Sequence, residues 1–186
     1  MRRRDFVAGL AAATLLAGLP SIALAEDEIY LAAYTRQRVL IAARGERPIE
    51  VIRPLARGTG GTAPFRLRGS EMTPLGEFRI GWVNRHSRFH RFFGLNYPLP
   101  DQAYEGYRRG VISRAQCIAI LKAHAHGEPP PQNTPLGGYI GLHGLGGRNR
   151  DINAIANWTD GCLAVTDHDI DRLSEQIGVG TRVFVS

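Results

Sequence analysis

The stretch "NWTDGCLAVT", residues 157–166, sets Cys162 directly after a glycine, inside a polar turn and at the mouth of an apolar run. The only other cysteine, Cys117, sits in "AQCIAILKA", where it reads as ordinary helix packing. A thiol is a poor nucleophile until it loses its proton, and a nearby imidazole or a cluster of peptide N–H groups assists that loss. His143 closes the run "YIGLHG", nineteen positions before Cys162. If the two runs are paired strands, the side chains can meet across the ladder and support nucleophilic attack by sulfur. Gly161 allows a tight turn and a close backbone approach to substrate. The N–H of Cys162, with a neighbouring N–H, could stabilise an oxyanion. On the residues alone, a chance pairing of one Cys and one His stays open.

The elements that must position this pair are mostly strands. "EIYLAAYT", "RVLIAARG" and "PIEVIRPL" are short apolar runs separated by turn-forming residues, and "GEFRIGWVN" alternates as a further strand. "ARGTGGTAPF" reads as a glycine-rich loop without the lysine and helix start of a phosphate loop. "NRHSRFHRFFGLNYPLP", residues 84–100, mixes arginines and aromatics with no clean period, so a loop or capping subdomain is expected. "SRAQCIAILKAHAHG" reads as a helix capped by Ser113 and ended by Gly127, and the proline-rich "EPPPQNTPLGG" as a surface linker. "RDINAIANW" suggests a short helix or turn, and "CLAV" a short buried strand. Thr166 opens the helix "TDHDIDRLSEQIG", with Asp169 three residues on, and "TRVFVS" is the last strand. The expected fold is mainly β with inserted helices, a sandwich or barrel.

The other candidate groups carry weaker signals. His124 and His126 lie two apart near a helix end and point to different faces. His86 and His90 have metal-compatible spacing but no carboxylate beside them. The Phe89, Phe92 and Phe93 cluster reads as core before it reads as a sugar platform. Trp158 either lines a cleft or fills a gap. Asp151, Asp167, Asp169 and Asp171 read as helix-start and solvent-face charges.

The N-terminus "MRRRDFVAGLAAATLLAGLPSIALAED" has a basic start, an apolar run and a small-x-small site, the pattern of an export signal cleaved after Ala25. "RRDFV" is similar to the twin-arginine export signal, and general secretion is the alternative. The apolar run is shorter than the roughly 20 residues of a membrane span. Residues 26–186 then suit a single domain, with no membrane span left after cleavage and a monomer as the expected state. The formal charge is +6, and removing three arginines and one aspartate with the leader leaves +4. Lys122 is the only lysine, so the cations are arginines, which suit carboxylates and phosphates. Export and the lack of any nucleic-acid motif exclude nucleic acid as a partner and favour an acidic polymer. Parity permits a Cys117–Cys162 disulfide in an oxidising compartment, whereas a catalytic Cys162 must stay free.

Three pieces in order, "MTPLGEF", "IGLHG" and "TDGCLAVT", resemble the L,D-transpeptidase catalytic domain, the YkuD-like cysteine enzymes of peptidoglycan. Fifteen residues separate His143 from Thr159, and the resemblance spans roughly residues 28–186. It implies Cys162 as nucleophile, His143 as base, and the Gly144 carbonyl orienting the imidazole. Thr159 and Gly161 would shape the turn that presents the thiol; beyond the family pattern, Arg148 and Trp158 are candidates for binding substrate. The implied reaction is attack on the L-centre carbonyl of diaminopimelate in a stem peptide, release of D-Ala, and resolution of the thioester by an amine or water. No metal or cofactor is implied. The implied setting is the periplasm or cell envelope, with a part in cell-wall biogenesis and cell shape. Two positions depart from the family pattern: Asp160 stands where many members have His, and Ala164 where they have Arg. The "WTDGC" form is similar to the YafK-like branch, which includes hydrolases that detach a lipoprotein from murein. An arginine among Arg85, Arg88, Arg91 and Arg148 is then expected to face the cleft. A murein hydrolase and a non-catalytic wall-binding domain are the alternatives to a transpeptidase.

Overall fold

The computed structural model describes residues 27–186; the expected export signal lies outside them. Ten strands follow in chain order: β1 Ile29–Tyr34, β2 Val39–Arg44, β3 Arg47–Ile52, β4 Thr62–Ala63, β5 Thr73–Pro74, β6 Gly76–Ser87, β7 His90–Leu95, β8 Gly141–His143, β9 Leu163–Ala164 and β10 Arg182–Val185. Eight of them form one sheet in the order β3-β2-β1-β10-β6-β7-β8-β9, and β4 and β5 form a small parallel pair. The chain leaving β3 at one edge of the large sheet reaches the other edge. There Ala56 exchanges backbone hydrogen bonds with Ala164 of β9, 2.9 Å each way. The sheet therefore curls back on itself, and the mainly β, barrel-like architecture expected from the strand-rich sequence is what the chain adopts.

Strands β1, β2 and β10 bury both faces, with side chains alternating at the period of two that a pleated backbone imposes. Leu31, Ala33, Leu40 and Ala42 face the main core with Phe78, Leu142, Leu163 and Val183. Tyr30, Ala32, Val39 and Ile41 form a second cluster with Phe184 on the opposite face. Four helices complete the described residues: α1 Pro100–Arg108, α2 Arg114–Ala125, α3 Ile152–Ile155 and α4 Asp167–Ser174. Ser113 caps α2, its hydroxyl accepting from Gln116 N at 3.2 Å. Thr166 caps α4 in the same way from Asp169 N at 3.1 Å, and α4 gives Ile170 and Leu173 to the core. Cys117, on the buried side of α2, packs with Ala103, Ile112, Ile120 and Leu136, and both cysteines are free, so the disulfide that parity permits is not formed. No helix among the described residues is long and apolar enough to cross a membrane.

One expectation fails. Most of residues 84–100 is not a loop or capping subdomain: β6 and β7 form a long antiparallel hairpin there. Its period is hidden because the register shifts between Ile80 and Trp82, and again between Asn84 and Ser87. The ring of Trp82 lies directly on Gly94 of β7, where a Cβ would sit 2.1 Å from it. The segment after the hairpin is helix α1, started by Pro100 at its first turn, with the Gln102 side chain accepting from Leu99 N at 2.9 Å.

Candidate active site

Strands β8 and β9 pair in parallel, with His143 opposite Ala164. Side chains alternate along a strand, so Cys162, two residues before Ala164, presents to the same face as His143. Both line one cavity of about 880 Å³.

The turn that carries Cys162 is fixed from three sides. The Thr159 hydroxyl donates to the Cys162 carbonyl at 2.6 Å and accepts from Gly161 N at 3.3 Å. Gly161 has φ +121°, and a Cβ there would fall 2.5 Å from the Met72 carbonyl oxygen. The glycine-rich loop "ARGTGG" backs the turn: Thr59 N donates to the Thr159 carbonyl at 3.0 Å, and Gly58 bridges Thr159. This loop therefore supports the cysteine turn. The thiol of Cys162 donates to the Tyr139 carbonyl at 3.3 Å.

His143 is fully buried, and its Nδ1–H donates to the Gly144 carbonyl at 2.7 Å. That bond places the proton on Nδ1 and leaves the Nε2 lone pair as the acceptor. Phe89 stacks on the imidazole at 4.3 Å between ring centres, Phe92 at 5.9 Å, and Trp158 meets it edge-on at 5.6 Å. Phe92 sits opposite His143 in the β7–β8 pairing, whereas Phe93 points into the core. The aromatic cluster thus divides into two walls of the histidine site and one core residue.

Burial in this cage lowers the His143 pKa to about 4; the Gly144 hydrogen bond opposes the shift, and Arg148 and Arg88 reinforce it. Burial also pushes the Cys162 thiol up to about 11, against the pull of a hydrogen bond with the Gly141 backbone and the charge of Arg66. At neutral pH the imidazole and the thiol are therefore both neutral.

Thr159, Trp158 and Arg148 line the cavity with Cys162 and His143, while Gly161 and Gly144 shape it from behind. Of the four arginines considered, Arg88 and Arg148 line the cavity. Their guanidinium groups lie 4.7 Å from the Phe89 ring centre and 4.5 Å from that of Trp158. Arg85 is exposed elsewhere, and Arg91 is held by Asp171 together with His90.

Three supporting residues escaped the sequence reading. Asn153 of α3 is buried, accepts from Trp158 Nε1 at 2.7 Å and donates to the Ala164 carbonyl at 3.1 Å. Asp167 accepts from Leu145 N at 2.6 Å and Gly146 N at 3.0 Å, fixing the chain that leaves His143. Arg66, from the loop between β4 and β5, is a buried cation in the cavity wall. Only the position of Asp167 in the first turn of a helix gave any signal beforehand.

A model of the L,D-transpeptidase catalytic domain, YkuD, matches residues 28–185. No curated protein matches the sequence. Among solved structures, the chain is similar to the helical cell shape determining protein Pgp2 from Campylobacter jejuni, at 17% identity and TM-score 0.56 over 99% of this chain and 55% of that one. It is similar to Bd1075 from Bdellovibrio bacteriovorus at 17% identity and TM-score 0.55, over 86% of this chain and 48% of that one. An Enterococcus faecium L,D-transpeptidase mutant is similar at 9% identity and TM-score 0.50, over 86% of this chain and 50% of that one. The chain spans about half the length of each of these three, and at such identities the likeness is one of fold.

Proposed function

The chain belongs to the L,D-transpeptidase catalytic domain family, whose members act on peptidoglycan stem peptides, and from that premise we propose that it is a cysteine acyltransferase working through a Cys162 thioester. The observation that carries this reading is the His143 Nδ1–H bond to Gly144 O, which leaves Nε2 free on the face that Cys162 shares. In the first step Sγ of Cys162 bonds to the L-centre carbonyl carbon of diaminopimelate, and its proton passes to His143 Nε2. The C–N bond to D-Ala then breaks, and the same proton leaves on the departing amine. In the second step an amine of another stem peptide attacks the thioester carbon, His143 takes its proton, and the thiol is restored. Water in place of the amine would give hydrolysis by the same route. The turn that presents Cys162 also offers backbone N–H groups as the natural place for the developing oxyanion.

Purified muropeptides incubated with the protein test this reading by product mass. Transpeptidation gives cross-linked dimers or exchange of D-Ala for an added D-amino acid. Loss of D-Ala alone reassigns the protein as a hydrolase, and no change in any mass overturns both the transpeptidase and the D-Ala-trimming readings. Cys162→Ala is expected to abolish turnover with the fold intact. The export signal at residues 1–25 and an envelope location belong to the same proposal. N-terminal sequencing of the secreted protein is expected to begin at Glu26.

A further inference from the structure

One cation in the cavity wall is buried without a counter-charge. Arg66 is 5% exposed, and among the described residues no carboxylate lies within 4 Å of its guanidinium. Its Nη2 donates to the Asp160 carbonyl at a long 3.4 Å, and its buried Nε has no partner. The guanidinium lies 5.8 Å from the Tyr97 ring centre and packs against Gly137, where a Cβ would come within 3.3 Å of Nη1. A guanidinium cannot shed its proton to escape burial, so an unpaired one in low dielectric is costly until an anion joins it. The other cavity arginines differ. Arg68, Arg88 and Arg148 are exposed, and solvent screens them. Ala164, two residues after Cys162, is fully buried and offers nothing to an anion.

We infer that Arg66 is the specificity-determining residue of this site, binding a carboxylate of the donor peptide beside the scissile carbonyl. The inference rests on the proposed reading of the cavity as an acyl-transfer site for stem peptides. The fork geometry suits a carboxylate, and the Asp160 carbonyl that Arg66 touches belongs to the turn presenting Cys162. The anion so held would lie next to the reacting sulfur. Two carboxylates of a diaminopimelate stem peptide qualify: the one on the departing D-Ala and the one on the D-centre of diaminopimelate.

The test compares wild type, Arg66→Met and Arg66→Lys on three tetrapeptides: one unmodified, one amidated at the D-Ala carboxyl, one amidated at the D-centre carboxyl. Arg66→Met is expected to raise KM for the unmodified peptide at least tenfold, and Arg66→Lys to fall between it and wild type. One of the two amides is expected to bind wild type as weakly and to be indifferent to Arg66→Met, which identifies the carboxylate. Equal losses with all three peptides, or none, overturn the inference and leave Arg66 as a brace for the cysteine turn. Calorimetric binding to Cys162→Ala, with and without Arg66→Met, repeats the comparison without turnover. An inactive wild type that still shows the Arg66-dependent preference defeats the enzyme reading and keeps the carboxylate site. Cys162→Ala that binds none of the three peptides overturns the site itself. Thermal melting of Arg66→Met is expected to equal or exceed wild type, since an unpaired buried charge is removed; a brace would melt lower.

Discussion

Cys162 and His143 are expected to behave as a neutral pair. An imidazole that must act as base is silenced by protonation, so kcat/KM should fall only as pH drops through about 4, well below the usual imidazole range. A thiolate–imidazolium pair would already be formed at neutral pH and react with iodoacetamide at a rate independent of pH there. Here alkylation of Cys162 should keep rising with pH toward about 11, while Cys117, buried on the inner side of α2, stays unlabelled in the folded protein. Gly161 sets the second residue-scale prediction. With φ +121° and a Cβ falling 2.5 Å from the Met72 carbonyl oxygen, Gly161→Ala must shift backbone. A cost of about 1–3 kcal/mol is expected, read as a lower melting temperature, together with loss of turnover from a displaced thiol.

The hairpin of β6 and β7 acts as a wall. It brings Phe89 and Phe92 onto the imidazole face, and its tip carries Arg88 to the cavity rim. Truncating Phe89 leaves the β7–β8 pairing in place but admits water to His143. Since burial is the largest cause of the lowered imidazole pKa, Phe89→Ala should move the acid limb of the kcat/KM profile up toward 6.5. An unmoved limb would mean that Phe92 and Trp158 alone keep the ring dry. The neighbouring elements supply orientation. Asn153 ties α3 to β9 and to Trp158, and Asp167 at the start of α4 holds the turn after β8, so the two halves of the site are braced by different helices.

For the molecule as a whole, the buried neutral histidine links site to stability. The unfolded chain takes up a proton near pH 6.5, whereas the folded chain resists until about 4. Stability should therefore fall as pH drops from 6.5 to 4, by about 3 kcal/mol, and change little from this group outside that window. Urea titrations across the range measure the slope, and His143→Gln should flatten it. Carboxylates held low by arginines, such as Asp171 beside Arg91, respond at lower pH and separate from it.

Local signals were enough for much of the architecture. The short apolar runs that became β1, β2, β3 and β10, the Ser113 and Thr166 caps, and the Gly-Cys turn all depend on residues close in sequence. The pairing of His143 with the Cys162 region was foreseeable because one strand end and one strand start had to be neighbours for either residue to do chemistry. What remained hidden depended on contacts distant in sequence. Bulges in β6 erased the alternation of residues 84–100, and only pairing with β7 shows them as strand. Arg66 precedes Cys162 by 96 positions, and nothing in the residues around it signals burial. Its burial is decided by where Tyr97, Gly137 and Asp160 converge, because the dielectric around a charge is a property of the assembled fold and of no single stretch of chain.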